Sequence, residues 1–170
     1  MKELIGMEII ELYNVDESID ELSDLLINVV GEGASVGFLP PLSKVDANSF
    51  WESCVRPDVI LWIAKAGGKI AATLQLHLCT KPNGTHRAEI AKLMTHPSFR
   101  QKGMAKQLML HAEKRAKQEG RSLLILDTRE GDASNFLYQS LGYKEAGRIP
   151  SFAQNAEGGI DTTVLYYKMI

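Results

Sequence analysis

The sequence predicts a mixed α/β domain in which helices flank a mostly antiparallel central sheet of about seven strands, in the order β-α-α-β-β-β-α-β-α-β-β. Three observations predict this fold class. Three β-like runs follow one another with only short turn signals between them, which is typical of an antiparallel meander. A helical pattern and a short, continuously apolar run come next, which predicts a β-α-β unit with parallel strands. The chain has neither a repeat nor a linker, so we expect residues 1–170 to form a single domain.

The N-terminal part predicts one strand and two helices. Residues 7–13 have the pattern of a strand. Ser18 and Glu21 form a capping-box pattern at the start of a first helix, whose apolar positions keep helical spacing up to Gly31. Two consecutive prolines cannot continue a helix, so we expect a shaped loop before a second helix near residues 43–54.

The meander contains the runs DVILWIAKA, KIAATLQLHLC and AEIAKLMT. Gly67 and Gly68 join the first two runs, and a glycine pair is typical of a tight hairpin. A turn at Pro82, Asn83 and Gly84 leads to the third run. These features predict three antiparallel strands in succession.

The C-terminal half predicts two helices and three strands. Apolar residues recur at helical spacing from Met104 to Ala116, and Gly120 closes this helix. The run SLLILDT is short and continuously apolar, which favours a strand in the middle of the sheet that is covered on both faces. A shorter helix over residues 133–141 and two strands around the loop AQNAEGGID complete the predicted domain.

Composition and charge argue against several functional classes. The net charge of −2 gives no general attraction to nucleic acid or to an anionic membrane, so we expect neither as a partner. The first residues contain too many acidic side chains for a signal peptide, and no window approaches the roughly 18 apolar residues of a spanning helix. Cys54 and Cys79 lack the spacing of a zinc site or a disulfide framework. We therefore expect a cytoplasmic protein with reduced thiols and no metal.

The stretch RQKGMA, residues 100–105, lies where a predicted strand has ended and a helix begins. Unpaired backbone N–H groups and the positive end of a helix converge at such a point, which suits a pyrophosphate. Gly103 allows a close approach because it has no Cβ. Three cations add positive charge around the same point: Arg100, Lys102 and Lys106. A plain helix start with solvated cations is the alternative that this stretch alone leaves open.

Two longer motifs resemble a known family. LMTHPSFRQKGMAKQLM, residues 93–109, resembles the acetyl-CoA-binding motif of the GNAT superfamily of N-acyltransferases, including its strand, HP turn, glycine and helix. ASNFLYQSLGYK, residues 133–144, resembles a second family signature at the expected distance. AEIAKLM, LLILDT and TTVLYYK are further similar to the tabtoxin-resistance branch of acetyltransferases. The resemblance implies a GNAT-like fold for the chain.

The resemblance also implies how a cofactor site is built. Acetyl-CoA would be the co-substrate, and Leu93, Met94 and Thr95 would offer main-chain groups of a splayed strand to its pantetheine arm and thioester. Residues 101–106 would hold the pyrophosphate, and Asn135 would hydrogen-bond the pantetheine. The cofactor-binding residues predicted in this way are Leu93, Met94, Thr95, Arg100, Gln101, Lys102, Gly103, Met104, Ala105, Lys106 and Asn135.

Three residues are predicted to be catalytic. In the tabtoxin-resistance enzymes two carboxylates serve the acceptor amine, and Glu89 and Asp127 match them in local context. Tyr138 occupies the position from which family members reach the thioester sulfur. A base is needed because an alkyl amine, with a pKa of about 10.4, is almost fully protonated at pH 7. The residues alone leave other roles open: Glu89 as a solvated strand residue, Asp127 as a loop or cap ligand, and Tyr138 as a core aromatic.

The predicted function is an N-acetyltransferase that transfers the acetyl group of acetyl-CoA directly to a primary amine of a small molecule. No cysteine is placed to carry a covalent acetyl group. A non-catalytic acyl-CoA sensor or interaction module and a GNAT enzyme that acetylates a protein amine are the alternatives. The sequence is compatible with a monomer or a homodimer. Variable loops at residues 33–44 and 151–161 are expected to shape the acceptor pocket.

Overall fold

The computed structural model describes residues 6–170, and its elements follow the predicted order. Residues 1–5, which begin the segment considered for a signal peptide, lie outside the described residues. The strands are β1 Met7–Leu12, β2 Val59–Ala66, β3 Lys69–Leu78, β4 Arg87–Thr95, β5 Leu123–Arg129, β6 Lys144–Gln154 and β7 Ile160–Met169. The helices are α1 Ile19–Gly31, α2 Lys44–Ser53, α3 Met104–Gln118 and α4 Ser134–Ser140.

The seven strands form one sheet in the order β1-β2-β3-β4-β5-β7-β6. Strands β4 and β5 pair in parallel, whereas the other neighbouring strands pair antiparallel. Because α3 connects β4 to β5, the parallel pair is the β-α-β unit predicted from the apolar run after the helix. The mixed, mostly antiparallel sheet is thus confirmed, with β5 inside it.

The glycine pair forms the predicted hairpin. Gly67 and Gly68 connect β2 to β3 with φ angles of 57° and 77°. A type I′ turn needs positive φ at both central residues, and glycine adopts this conformation without a steric clash. Strands β2, β3 and β4 consequently form the antiparallel meander.

Helices cover both faces of the sheet. Helices α1 and α2 pack on one face through an apolar cluster that includes Leu22 and Trp51, whereas α3 packs on the other face through residues such as Leu108. Leu61 of β2 belongs to the first cluster and Trp62 to the second, as the alternation of side chains along a strand requires. The two sides are called the α1–α2 face and the α3–α4 face below.

The predicted capping box at the start of α1 is not formed. Ser18 makes no side-chain capping hydrogen bond, because its φ of −109° and ψ of −6° lie near the helical region instead of the extended region of a capping residue. The Glu21 carboxylate instead accepts a hydrogen bond from the backbone N–H of Ile70 at 2.9 Å. This contact fastens the first turn of α1 to β3.

The predicted burial of both faces of β5 is wrong for one face. Leu124 and Leu126 are buried on the α3–α4 face. On the α1–α2 face, Ile125 is half-buried and Asp127 is exposed. The apolar run could not reveal this difference, because the opening depends on how neighbouring elements pack over the strand.

Among the described residues, every helix is too short or too polar to cross a membrane. The same part of the chain contains no group of three or more His, Cys, Asp or Glu side chains arranged to hold a metal ion. Cys54 is buried and Cys79 is half-buried, and both are free thiols.

Candidate active site

The sheet splits between its two parallel strands. β4 and β5 pair only over residues 87–89 and 123–125, although both strands continue beyond that point. On the β3 side, the single residue Leu74 stands opposite both Lys92 and Leu93. This arrangement of two residues against one is a β-bulge. Lys92 has a φ of 52°, which is uncommon for a residue other than glycine. Because a bulge bends its strand, the second half of β4 diverges from β5.

The opening between residues 90–95 of β4 and residues 126–129 of β5 is called the fork below. Leu93, Met94 and Thr95, the residues predicted to offer main-chain groups, lie along its β4 edge. Met94 and Thr95 pair with β3, and none of the three pairs with β5. Backbone groups on this edge therefore face the fork without a strand partner.

A row of backbone N–H groups is free at the start of α3. Gln101 and Gly103 have left-handed φ angles of 60° and 78°, and the helix begins at Met104. None of the backbone N–H groups of residues 101–106 donates a hydrogen bond to another described residue. Free donors at a helix start, beside left-handed residues, form a concave site that suits an anion such as a diphosphate.

The three cations predicted around this helix start differ in their surroundings. Arg100 donates to the carboxylate of Glu32 at 2.7 Å, so its guanidinium is directed toward the end of α1. Lys102 lies over the ring of Phe99, with 5.1 Å between its Nζ and the ring centroid. Lys106 is exposed on the first turn of α3. Lys106 is therefore the cation best able to reach a bound anion without breaking a contact seen here.

Glu89 and Asp127 face the same side of the sheet. Glu89 pairs in register with Ile125, and Asp127 lies two residues further along β5, so both side chains project from the α1–α2 face. Thr163 of β7 donates a hydrogen bond from Oγ1 to Asp127 Oδ2 at 2.7 Å, which fixes the position of this carboxylate. The structure thus brings the two predicted carboxylates together where β4 and β5 begin to separate, a point called the entrance of the fork below.

The environment of Glu89 favours its protonated form. Its pKa is raised above the ordinary value, mainly because the surrounding protein desolvates the carboxylate and also because Asp127 is negatively charged. Lys92 acts in the opposite direction. The side chain of Glu89 still reaches solvent, as expected on the wall of a cleft. A raised pKa makes the carboxylate a stronger base toward an ammonium proton.

Tyr138 lies on the α3–α4 face. Its ring is buried beside Tyr143 and Tyr166, so it has the core role that the sequence left open. Its hydroxyl makes no hydrogen bond with another described residue and is not among the polar atoms sealed from solvent. Burial, followed by the charges of Asp127 and Asp132, raises the pKa of Tyr138. The phenol therefore stays protonated at neutral pH, as a proton donor must.

The side chain of Asn135 is engaged within the protein. Its amide nitrogen donates to the carbonyls of Arg129 and Asp132, both at 2.9 Å, and its oxygen accepts from the hydroxyl of Tyr166 at 2.9 Å. These bonds hold the β5–α4 loop against β7. A contact with pantetheine would have to replace one of them, and this role of Asn135 stays a prediction.

Sequence reasoning did not select His77, which is the register partner of Glu89 on β3. Its Nε2 lies 2.8 Å from Gln75 Oε1, and Gln75 donates from Nε2 to Cys54 Sγ at 3.1 Å. Burial lowers the pKa of His77, so its ring favours the neutral form. The sequence contained no signal that His77 lies beside Glu89, because cross-strand neighbours depend on the register of the strands.

Lys92 is a second residue that sequence reasoning missed. Its Nζ donates to the carbonyl of Val36 at 2.6 Å and lies 5.7 Å and 5.4 Å from the ring centroids of Phe38 and Phe50. Burial lowers its pKa. The available signal was a lysine in the middle of an otherwise apolar strand run.

A cavity of about 250 Å³ lies between the α1–α2 loop and the β6–β7 hairpin. Residues 33–40 contribute one wall and residues 153–156 the other. Both walls belong to the loops that were expected to shape an acceptor pocket. Arg129 lies between them, two residues beyond Asp127 and on the same face of β5. Asp127 therefore lies next to a residue that lines the cavity.

A sequence model of the acetyltransferase (GNAT) family matches residues 30–143, which is more than half of the chain. The chain belongs to this family. The matched region includes both edges of the fork, the start of α3, and the three residues Glu89, Asp127 and Tyr138. The resemblance of the two motifs to GNAT enzymes is thereby confirmed. The narrower assignment to the tabtoxin-resistance branch stays a prediction.

Individual relatives agree with the GNAT assignment. A protein from Azospirillum brasilense, described as an uncharacterized N-acetyltransferase in the hisH-hisA intergenic region, is 28% identical over 113 residues, covering 65% of this chain and 67% of its own length. A GCN5-related N-acetyltransferase from Kribbella flavida has a TM-score of 0.83 at 18% identity, covering 99% of this chain and 100% of that one. An acetyltransferase from Salmonella typhimurium, solved with its cofactor acetyl-CoA, has a TM-score of 0.78 at 12% identity, covering 95% and 94%. The two solved structures establish the fold.

Proposed function

We propose that this GNAT protein is an N-acetyltransferase that uses acetyl-CoA and transfers the acetyl group directly to a primary amine of a small molecule. The fork carries the proposal, because it joins the free N–H groups at the start of α3 to an entrance flanked by Glu89 and Asp127. The neighbour from Salmonella typhimurium was solved with acetyl-CoA, which supports this co-substrate.

The residues at the fork fit a nucleotide diphosphate with a long thioester arm. An anion with several oxygens would satisfy the free N–H groups of residues 101–106, and Lys106 would add charge. Main-chain groups of residues 93–95 would hold the arm as an added strand holds a sheet edge. When bound, acetyl-CoA supplies an activated acetyl group.

Glu89 is the proposed principal base. At pH 7 a primary amine with a pKa of about 10.4 is neutral in only about one part in 2,500, which is a handicap of about 4.6 kcal/mol. A carboxylate of raised pKa at the entrance accepts the proton, directly or through water, as the nitrogen attacks. Asp127 strengthens this base and draws the cationic acceptor into the entrance.

Tyr138 is the proposed acid. A thiol with a pKa of about 8.5 leaves as a thiolate at a cost of only about 2 kcal/mol at pH 7, so the acid has a smaller role than the base. The open, protonated hydroxyl of Tyr138 can donate its proton to the leaving sulfur, and the phenolate then regains a proton from solvent. The buried ring holds the hydroxyl in a fixed direction.

Direct attack by the amine fits the cysteines better than a covalent acetyl-cysteine. Cys54 is buried, donates to the carbonyl of Phe50 at 3.2 Å, and has a pKa raised mainly by burial. A buried thiol with a raised pKa is a poor nucleophile. Cys79 follows β3, and its backbone N–H donates to the carbonyl of Arg87 at 3.1 Å, so it lies on the side of Glu89 opposite to the fork.

The cavity favours a compact, cationic acceptor. Its volume of about 250 Å³ is below the usual range for drug-sized ligands, which disfavours large polyamines and aminoglycosides. Arg129, which lines the cavity, pairs with Asp132 at 3.0 Å and with Asp161 at 3.6 Å, so its positive charge is compensated. Glu89 and Asp127, which project from the same face of the sheet as Arg129, add the negative charge that attracts an ammonium group. Paired carboxylates also agree with the resemblance to the tabtoxin-resistance branch.

The proposal is tested by following free CoA released from acetyl-CoA with a panel of primary amines. We expect turnover with at least one compact amine. The double variant Glu89→Gln, Asp127→Asn should lose about 10²- to 10⁴-fold in kcat, the usual contribution of a positioned base, while its Kd for desulfo-CoA stays within twofold. The matched control is the double variant Asp16→Asn, Glu17→Gln. It removes two exposed carboxylates that precede α1, outside the proposed site, and should leave kcat unchanged.

Three other results would contradict parts of this proposal. Unchanged turnover in the double variant would remove both carboxylates from the mechanism. Binding of desulfo-CoA without any amine-dependent release of CoA would indicate a non-catalytic sensor. Turnover with protein amines alone would indicate a protein acetyltransferase.

A further inference from the structure

Lys92 connects the bulge of β4 to the loop between α1 and α2. Its Nζ donates to the carbonyl of Val36, which lies 56 residues earlier in the chain. The same Nζ lies over the rings of Phe38, from that loop, and Phe50, from α2. A lysine with a left-handed φ persists only where its surroundings hold it, and these three contacts supply that hold.

The charge of Lys92 has no close ionic partner. No carboxylate among the described residues lies within 4 Å of its Nζ, although the side chain is half-buried. Glu89 and Asp127 act on it from a longer distance. The cation is therefore held by a carbonyl and two aromatic rings, and its charge stays available to both carboxylates.

The loop that Lys92 holds is a wall of the cavity. Gly37 and Phe38 line the cavity, and Val36 directly precedes them. Gly37 has a φ of 91°, and a Cβ at this position would lie only 3.1 Å from the Nζ of Lys92. The loop thus approaches the lysine closely at a point where only glycine is free of both strain and crowding.

We propose that Lys92 is a positioning residue that fastens the α1–α2 loop over the acceptor cavity and holds a positive charge against the Glu89 and Asp127 pair. The inference rests on the proposed function. The bulge opens the fork and also supplies the side chain, Lys92, that sets the shape of the acceptor site. Lys92 should therefore affect the binding of the amine and not the binding of acetyl-CoA.

The charge of Lys92 has a consequence for pH dependence. The titratable groups that face it are Glu89 on its own strand, Asp127 on β5 and Cys54 at the end of α2, and His77 faces Glu89 from β3. Removing the cation removes the positive charge that lowers the pKa of Glu89, so Glu89 would bind its proton more tightly. The acid limb of the kcat/KM profile should then move to higher pH.

The test compares Lys92→Met, which keeps most of the stem but removes donor and charge, with Lys92→Arg, which retains both. Lys92→Met should raise KM for the amine at least tenfold, change KM for acetyl-CoA less than twofold, and move the acid limb upward. Hydrogen exchange of residues 33–41 should become faster in the same variant. Lys92→Arg should recover most of the amine KM, and Lys114→Met, on the exposed side of α3, should behave as the wild type in every measurement.

The kinetic measurements depend on the proposed function, whereas hydrogen exchange does not, so the two together separate this inference from the proposed function. An amine KM within twofold of wild type would overturn the inference, and so would unchanged exchange of residues 33–41 in folded Lys92→Met. A loss that Lys92→Arg does not recover would also contradict it. If the wild type turns over no amine at all, the proposed function fails, and hydrogen exchange alone then decides whether Lys92 fastens the loop.

Discussion

Tyr138 has a buried ring and an open hydroxyl. Its structural role as a core aromatic can therefore be tested separately from its proposed role as an acid. The ring packs among Tyr143 and Tyr166, whereas the hydroxyl has no partner among the described residues. Phenylalanine would keep the packing of the ring and remove the hydroxyl group that donates the proton. The stability of the fold and the rate of the reaction should therefore respond differently to this substitution.

Tyr138→Phe should lower kcat at pH 7 by up to about 30-fold, because a thiol with a pKa of about 8.5 then leaves without a proton. The loss should shrink above pH 9, where the thiolate is the stable form, and Tm should change little. The measurement is kcat as a function of pH, with Tm from thermal unfolding. A kcat equal to wild type at pH 7, or a loss that is the same at every pH, would contradict the role of Tyr138 as an acid.

Glu89 and Asp127 are coupled, and the direction of the coupling can be measured. Burial and the charge of Asp127 both raise the pKa of Glu89. Asp127→Asn removes the second cause and leaves the first, so the pKa of Glu89 falls. The acid limb of the kcat/KM profile should move to lower pH, opposite in sign to the effect of Lys92→Met. A limb that does not move, or moves upward, would show that Glu89 is not the group that titrates.

Residue identities at the site were partly readable from the sequence. Glu89, Asp127 and Tyr138 were selected because they match a family pattern, and the structure brings the two carboxylates together. Lys92 and His77 were missed, because their importance depends on cross-strand register and on a loop more than 50 residues away. Periodicity within a segment contains no information on such contacts.

The start of α3 is the element on which the proposed cofactor binding depends. Gly103 is in the left-handed region next to the free N–H groups, and Gly120 is in the same region at the other end of the same helix. Nothing would contact a Cβ at Gly120. The two glycines therefore form a matched pair, with the same backbone strain and different distances from the proposed diphosphate.

Gly103→Ala and Gly120→Ala should each destabilise the fold by about 1 kcal/mol, the usual cost of a left-handed residue with a Cβ. Only Gly103→Ala should weaken the binding of desulfo-CoA, with a Kd about tenfold higher. The added Cβ would stand where the backbone is proposed to approach the diphosphate. Urea unfolding and calorimetry provide the two measurements. Equal affinities in the two variants would argue against binding at this helix start.

At the level of elements, the sequence predicted order and type well and local detail less well. Ser18 and Ser43 illustrate the limit, because both precede helices and only Ser43 forms a capping bond, with the N–H of Asp46 at 3.0 Å. The backbone angles of the serine itself decide which one can cap, because Ser43 is extended, with a ψ of 154°, whereas Ser18 has a ψ of −6°.

Across the whole molecule, the predicted succession of strands and helices is confirmed, because each element has a clear period and clear end signals. The fork is a different kind of feature. It arises from a bulge and from the early end of one parallel pairing, and both are properties of three strands together. The sequence reached it only through family resemblance, which supplied the expectation of a splayed strand.

Every step of the proposed reaction depends on binding of the CoA part of the co-substrate by the fork and the start of α3 together. Titration calorimetry with desulfo-CoA, paired with thermal unfolding, tests it directly. At a ligand concentration of 100 times Kd we expect stabilisation by about 2.7 kcal/mol, which corresponds to a rise in Tm of roughly 5 to 10 °C for a chain of this size. The absence of both binding heat and any change in Tm would contradict the account.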